Sequence, residues 1–181
     1  RPHRPIWKFL RSFVAEYDAS IFSLPAFAQP LPHPQYLVAP SIDPLSEKNV
    51  SLDQREVAEI AARYGLDPDR PVVAQVSRFD RFKDPVGVIK AYRLAKRHLP
   101  IQLVLAGGTA ADDPEGETVL SEVRQEAGAD LDVHILPLPP DAHRIINALQ
   151  RRAQIVIQNA LREGFGLTVT EALWKGKPVI G

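Results

Sequence analysis

The segment PVVAQVSRFDRFKDPVGVIKAYRLAKRHLPIQLVLAG, residues 71–107, decides the fold. It opens on a β-branched apolar run, PVVAQVS (71–77), and closes on another, IQLVLAG (101–107). Between them, Asp84 to His98 carries Val88, Ile89, Tyr92 and Ala95 on one face, at the spacing of an amphipathic helix. Two short, continuously apolar strands joined by a helix make a βαβ unit. Strands that are apolar on both sides of the pleat belong to a parallel sheet with helices on both faces.

Working outward, the alternation continues. Glu115 to Gly128 reads as a helix, LDVHILP (131–137) as a third strand, Asp141 to Arg151 as a helix and AQIVIQ (153–158) as a fourth strand. A helix opens at Gly166 and runs to Lys175, and KPVIG (177–181) begins a fifth strand. On the other side, Ser51 is the expected N-cap of a helix from Leu52 to Tyr64, closed by Gly65. The fold class is α/β, a Rossmann-like parallel sheet with helices on both faces.

The first forty residues are different. Trp7, Leu10, Phe13, Val14 and Tyr17 lie at helical spacing, and Ala19–Phe22 and Tyr36–Ala39 are strand candidates. Pro25, Pro30, Pro32 and Pro34 cannot sit within a central sheet, so a boundary or linker is expected between residues 24 and 50. The expected division is 1–40 and 41–181.

The 181 residues carry 22 basic and 22 acidic side chains, a formal net charge of zero, which argues against a nucleic-acid-binding surface. There is no cysteine, so disulfides, thiolate metal sites and cysteine nucleophiles are excluded. No apolar run approaches the ~20 residues that span a bilayer. Methionine is absent even at position 1, and the chain is expected to be processed, trimmed or part of something longer. A cytoplasmic location is the expectation.

In an open parallel sheet, ligands bind beyond the carboxyl ends of the strands. That singles out 77–84, 107–114, 137–141 and 159–167, two of which are chemically loaded. SRFDRFKD puts Arg78, Arg81 and Lys83 on one loop, a guanidinium and an ammonium suited to a diphosphate. The competing reading is a solvated loop with Asp80 and Asp84 as partners. In REGFGLTVTEALWKGKPVIG, Gly164 and Gly166 let the backbone approach a ligand, and the helix beginning there aims free N–H groups at an anion. Glu163 precedes that helix and Glu171 lies about one turn into it, so both can line one crevice as acceptors for sugar hydroxyls. The alternative is a helix N-terminus with a favourable acid before it and a solvated Glu within it.

GxGxxG, GxxxxGK[ST] and GxSxG are all missing, which removes the main support for dinucleotide, P-loop and α/β-hydrolase readings. His3, His33, His98, His134 and His143 have no metal-ligand spacing, and His134 reads as a packed strand residue. Asp112, Asp113 and Glu115 are an acidic cluster in ordinary turn chemistry, and no metal site is expected there.

At these two loops the chain resembles the C-terminal domain of GT-B glycosyltransferases of family 4. The resemblance implies that Arg78 and Lys83 contact a donor diphosphate. It implies that the E-x7-E pattern, EGFGLTVTE, directs Glu163 to the donor hexose, as the catalytic-site acid, and Glu171 to the nucleotide ribose. The segment Gly164, Phe165, Gly166, Leu167 and Thr168 would approach hexose and phosphates, and Leu136 to Pro139 the base. PSIDPLSEKN (40–49), QVSRFDRFKDP, DDPEG and REGFGLTVTEALWKGKPVIG narrow the resemblance to the glycosyltransferring trehalose synthases and the related retaining trehalose phosphorylases. The chain departs from the common family pattern at Asp84, where many relatives have Gly, and at Asn159-Ala160, in place of a small hydroxyl residue.

The implied parent activity is retaining transfer of glucose from a nucleoside-diphosphate glucose to glucose, giving trehalose. The nucleotide sugar and glucose would be its small-molecule partners, with no nucleic acid or membrane. No cofactor is obligatory and magnesium is optional. Residues 1–40 resemble the end of an N-terminal GT-B domain, so the 181-residue chain is expected to bind nucleotide without efficient transfer. Residues 5–39, with Trp7, Phe9, Phe13 and Phe22, need burial, and a homo-oligomer would provide it. The rival readings are a phosphorylase using the same site, a non-catalytic nucleotide-binding or assembly module and, last, a sugar-nucleotide epimerase.

Overall fold

A computed structural model describes residues 4–108 and 114–181, and the chain separates into two compact units, 1–41 and 42–181. The first contains helix α1 (Arg4–Val14) and a two-stranded parallel sheet of β1 (Ser20–Phe22) and β2 (Gln35–Leu37). Ile6, Phe9, Leu10 and Phe13 of α1 are exposed, and the Phe9 and Phe13 rings stack at a 55° tilt with centroids 5.5 Å apart. The prolines lie in a turn and the loop between the two short strands, where no ladder hydrogen bond is needed.

The second unit runs α2 (Gln54–Arg63), β3 (Val72–Val76), α3 (Pro85–Lys96), β4 (Gln102–Gly107), α4 (Pro114–Ala127), β5 (Val133–Pro137), α5 (His143–Arg152), β6 (Ile155–Ile157), α6 (Leu167–Trp174) and β7 (Val179–Ile180). All five strands of its sheet are parallel, in the order β5-β4-β3-β6-β7. Strand parity divides the core. Val72, Ala74 and Val76 of β3 and Val104 and Ala106 of β4 pack with Ala61 of α2, Ile146 and Leu149 of α5 and Ala172 of α6. The alternate residues Val73, Leu103 and Leu105 meet Val88, Ile89 and Tyr92 of α3 and Val119, Leu120 and Val123 of α4. Side chains alternate along a strand, so an unbroken apolar run supplies both faces at once.

The expected elements all form, with ends shifted by a few residues. One cap is different: Asp53, not Ser51, caps α2, its carboxylate accepting the Arg55 N–H at 2.6 Å. Ser51 and Leu52 stay outside the helix because the chain there is tied to α5, as described below. Gly65, at φ 75°, ends the segment as expected. His134 is half-buried in β5, and burial pushes its imidazole below the ordinary histidine value. Among the described residues, no helix is long and apolar enough to cross a membrane.

Candidate functional site

β3 hands the chain to β4 on one side and is joined by β6 on the other, so the strand order reverses between β3 and β6. Such a switch point leaves a crevice at the strand carboxyl ends, because the connections on either side leave in opposite directions. The two loops singled out from the sequence, after β3 and after β6, flank it.

They are tied together. Lys83 Nζ donates to Glu163 Oε2 at 2.5 Å, and Gln158 Nε2 reaches the same oxygen at 2.8 Å. Leu161 N–H donates to the Phe82 carbonyl at 2.7 Å, and the Arg162 guanidinium lies 5.8 Å from the Phe82 ring centre. Glu163 Oε1 accepts its neighbour's amide, Gly164 N, at 2.9 Å. The Lys83 hydrogen bond, opposed by burial and assisted by the Gly164 amide, holds the Glu163 carboxyl below its ordinary value.

Lys83 is positioned from below. Gln75, buried in β3, donates from Nε2 to the Lys83 carbonyl at 2.6 Å. Asp80 accepts the Phe82 and Lys83 amides, which winds 81–83 into a short 3-10 turn. Asp84 then adopts the left-handed conformation, φ 44° and ψ 52°, and caps α3 by accepting Gly87 N–H at 3.0 Å. Gly87 leaves room for this cap: a Cβ would lie 2.1 Å from Asp84 Oδ2, so a side chain there would displace the carboxylate. Arg78 is more exposed and sits 3.3 Å from Asp80 Oδ2. Arg81 turns away to pair with Glu115 and Glu122 of α4.

A cavity of about 460 Å³ opens over the ends of β3, β4 and β5. Arg78, Lys83, Thr168 and Glu171 line it, as do Leu138 and Pro139 of the segment expected to meet a base. Leu136 packs against the core instead. Glu163, Gly164, Phe165, Gly166 and Leu167 are not in the lining, and Glu163 reaches its edge through Lys83. Gly166, at φ 84°, begins α6 without a side-chain cap, and Thr168 in the first turn faces the cavity. Gly164 has nothing within 4 Å of where a Cβ would be, so packing does not explain its lack of a side chain.

The floor is bare backbone. Gly107 and Gly108 line it, and a Cβ on Gly107 would stand 1.8 Å from the Ser77 carbonyl oxygen. His143 and Ile146, at the start of α5, and Lys48 complete positions the sequence reading did not select.

Lys48 belongs to a strap, residues 43–50, bound to α5 and α6. Asn147 Nδ2 donates to the carbonyls of Glu47 and Val50 at 2.9 Å each. Arg151 donates to the carbonyls of Asn49 and Val50, and Trp174 Nε1 to that of Asn49 at 3.2 Å. Asn49 is buried, and its Oδ1 accepts from Lys175 Nζ at 3.0 Å. Burial pushes the Lys175 ammonium down to about 8; Glu171 opposes this, and Arg151 and Lys48 add to it. Lys48 Nζ stands 3.6 Å from Glu171 Oε1. No regular periodicity marks such a strap, so nothing local in the sequence points its Lys toward the cavity.

Among the described residues no group of three or more His, Asp or Glu side chains is arranged to hold a metal. Asp112 and Asp113 of the acidic cluster lie outside the described residues.

Residues 56–181 match the family described as glycosyl transferases group 1. The chain belongs to that family. This group 1 glycosyl transferase is 48% identical to a trehalose synthase of Pyrococcus horikoshii, the match covering 99% of the chain and 44% of that relative. It therefore spans less than half the length of that protein. A trehalose phosphorylase of Grifola frondosa is 33% identical over 62% of the chain and 17% of its own length. A solved Escherichia coli structure, described as trehalose-6-phosphate bound with UDP-2-fluoro glucose, superposes with a TM-score of 0.71 at 15% identity, over 94% of the chain and 46% of that structure. The GT-B glycosyltransferase fold and a likeness to trehalose synthases are thus established for this chain.

Proposed function

We propose that this group 1 glycosyl transferase supplies the donor site of a retaining hexosyltransferase, one that moves glucose from a nucleoside-diphosphate glucose onto glucose to give trehalose. The observation that carries the proposal is the contact between Lys83 and Glu163. In a sugar nucleotide the bond that breaks joins the hexose to the diphosphate. A cation for the diphosphate and a carboxylate for the hexose hydroxyls must therefore stand side by side, and here they do.

Thr168, Glu171, Leu138 and Pro139 line the same cavity as Lys83, and in this reading Glu171 would meet the ribose and Leu138 and Pro139 the base. Arg78, Lys83 and the free amides at the start of α6 would stabilise the charge that grows on the leaving diphosphate as the transition state becomes oxocarbenium-like. Glu163 would hold the hexose hydroxyls, and exclusion of water would favour transfer over hydrolysis. These cations suffice for the leaving group, so the proposal needs no metal, and magnesium stays optional.

The phosphorylase reading shares Arg78 and Lys83. The cavity, about 460 Å³, lies within the range of small-molecule sites and has room for a nucleotide, which the titration below distinguishes from phosphate. The test is calorimetric titration of the chain with ADP, UDP, GDP and phosphate. Binding of a nucleoside diphosphate supports the proposal. Binding of phosphate alone transfers the case to the phosphorylase, and no binding to folded protein refutes both.

A further inference from the structure

Glu171 lies where the proposed donor's ribose would be, and its immediate surroundings are unusual for a buried carboxylate. Its side chain is 8% exposed, yet among the described residues no hydrogen bond is made to either carboxylate oxygen. Lys175, the nearby buried cation, donates to the Glu171 backbone carbonyl at 3.2 Å and not to its carboxylate. The charged partner is Lys48, at 3.6 Å. A direct charge-assisted hydrogen bond would be nearer 2.8 Å. At 3.6 Å the ammonium offsets the cost of burying the charge and leaves the carboxylate's lone pairs open.

The backbone that carries Lys48 is anchored on both sides, while its side chain is 40% exposed. Asn49, next in the chain, is fixed through its carbonyl by Arg151 and Trp174, through Oδ1 by Lys175, and through Nδ2 by the Asp43 carbonyl at 2.9 Å and Ser46 Oγ at 3.2 Å. The backbone before it is held by Asn147. Lys48 therefore reaches the cavity from an anchored strap, separate in sequence from the loop that carries Lys83.

We infer that Lys48 is a positioning residue for Glu171, keeping that carboxylate turned into the cavity to accept hydrogen bonds from the ribose hydroxyls of the donor. The inference rests on the donor-site reading above. It makes the strap part of how the site tells a ribonucleotide from one lacking those hydroxyls. Lys48 contributes through Glu171, not through the diphosphate.

The experiment is calorimetric titration with ADP, UDP and GDP, each beside its 2′,3′-dideoxy counterpart, on wild type, Lys48→Ala, Lys48→Arg, Glu171→Gln and the Lys48→Ala/Glu171→Gln pair. Wild type is expected to prefer the ribonucleotide by at least about tenfold, as for a hydrogen bond to a charged group. Lys48→Ala should weaken the ribonucleotide about tenfold, leave the dideoxy form nearly unchanged and bring the ratio close to one. Lys48→Arg should restore the preference. Glu171→Gln should abolish it, and adding Lys48→Ala should lower the ratio no further, since the two act as one unit. A ratio in Lys48→Ala equal to that of wild type overturns the inference, whether both affinities fall together or neither moves, while the donor-site reading stands. Failure of folded wild type to bind any nucleoside diphosphate overturns both.

Discussion

Asn159 Nδ2 donates to Asp84 Oδ2 at 2.9 Å, so the residue that caps α3 and the loop after β6 are partners of each other. Asp84 is the only non-glycine residue with positive φ among the described residues, a conformation that costs an L-residue roughly 1–2 kcal/mol. Its carboxylate offsets that cost by capping α3 with one oxygen and binding the loop after β6 with the other. Asp84→Gly should therefore leave stability within about 1 kcal/mol of wild type, strain relief balancing the lost cap. Asp84→Ala, which keeps the strain and loses the cap, should cost about 2 kcal/mol. Urea unfolding of the two variants separates these outcomes.

Arg78 and Lys83 both line the cavity, and hydrogen bonds to charged groups contribute about 1.5–3 kcal/mol each. Arg78→Ala/Lys83→Ala should weaken nucleoside diphosphate binding at least a hundredfold, roughly, while nucleosides lacking phosphate bind as before. Equal loss for both ligands in a titration would place the effect elsewhere than the diphosphate.

The two glycines before α6 should behave in opposite ways. Gly166→Ala meets a φ of 84° and is expected to cost about 1–2 kcal/mol of stability. Gly164→Ala meets no neighbour within 4 Å and should be neutral in thermal unfolding, yet it should weaken donor binding by filling space the ligand uses. A Gly164→Ala protein with unaltered affinity would show that the space is merely solvent.

Lys175 gives a pH signature. Its value is about 8 in the folded protein against about 10.5 when unfolded, so between these the unfolded chain binds more protons. Stability contributed by this group then rises as pH increases from about 8 to 10.5, and is lost as pH falls through 8. Relative to Lys175→Met, wild type should gain on the order of 1–3 kcal/mol across that window. Parallel melting curves at pH 7 and pH 10 check the sign.

The frame of this molecule is written in its apolar runs. Residues 71–107 specify both faces of β3 and β4 because a buried parallel strand is apolar on both sides except where a polar side chain is hydrogen-bonded, as Gln75 is to the Lys83 carbonyl and Gln102 to the Asp67 carbonyl. Arg78, Lys83, Thr168 and Glu171 were legible because strand ends and a helix start are local features. Arg81 read as an equal of its neighbours, but a chain cannot announce that a side chain will turn toward α4. Lys48 and His143 were illegible for a related reason. Lys48 meets Glu171 across most of the chain length, and no periodicity encodes such a meeting.

The pinch at Gly107 has a consequence for how such a site can change over evolutionary time. With the Ser77 carbonyl where a methyl group would have to go, position 107 has no viable alternatives, whereas a Cβ on Gly108 would meet the Leu138 carbonyl at an ordinary 3.6 Å. Change in what the cavity accepts must come around that fixed point, at Gly108, from Leu138 to Ile146 and from Lys48. Libraries that randomise those positions should yield altered preferences, whereas libraries at Gly107 should return only glycine.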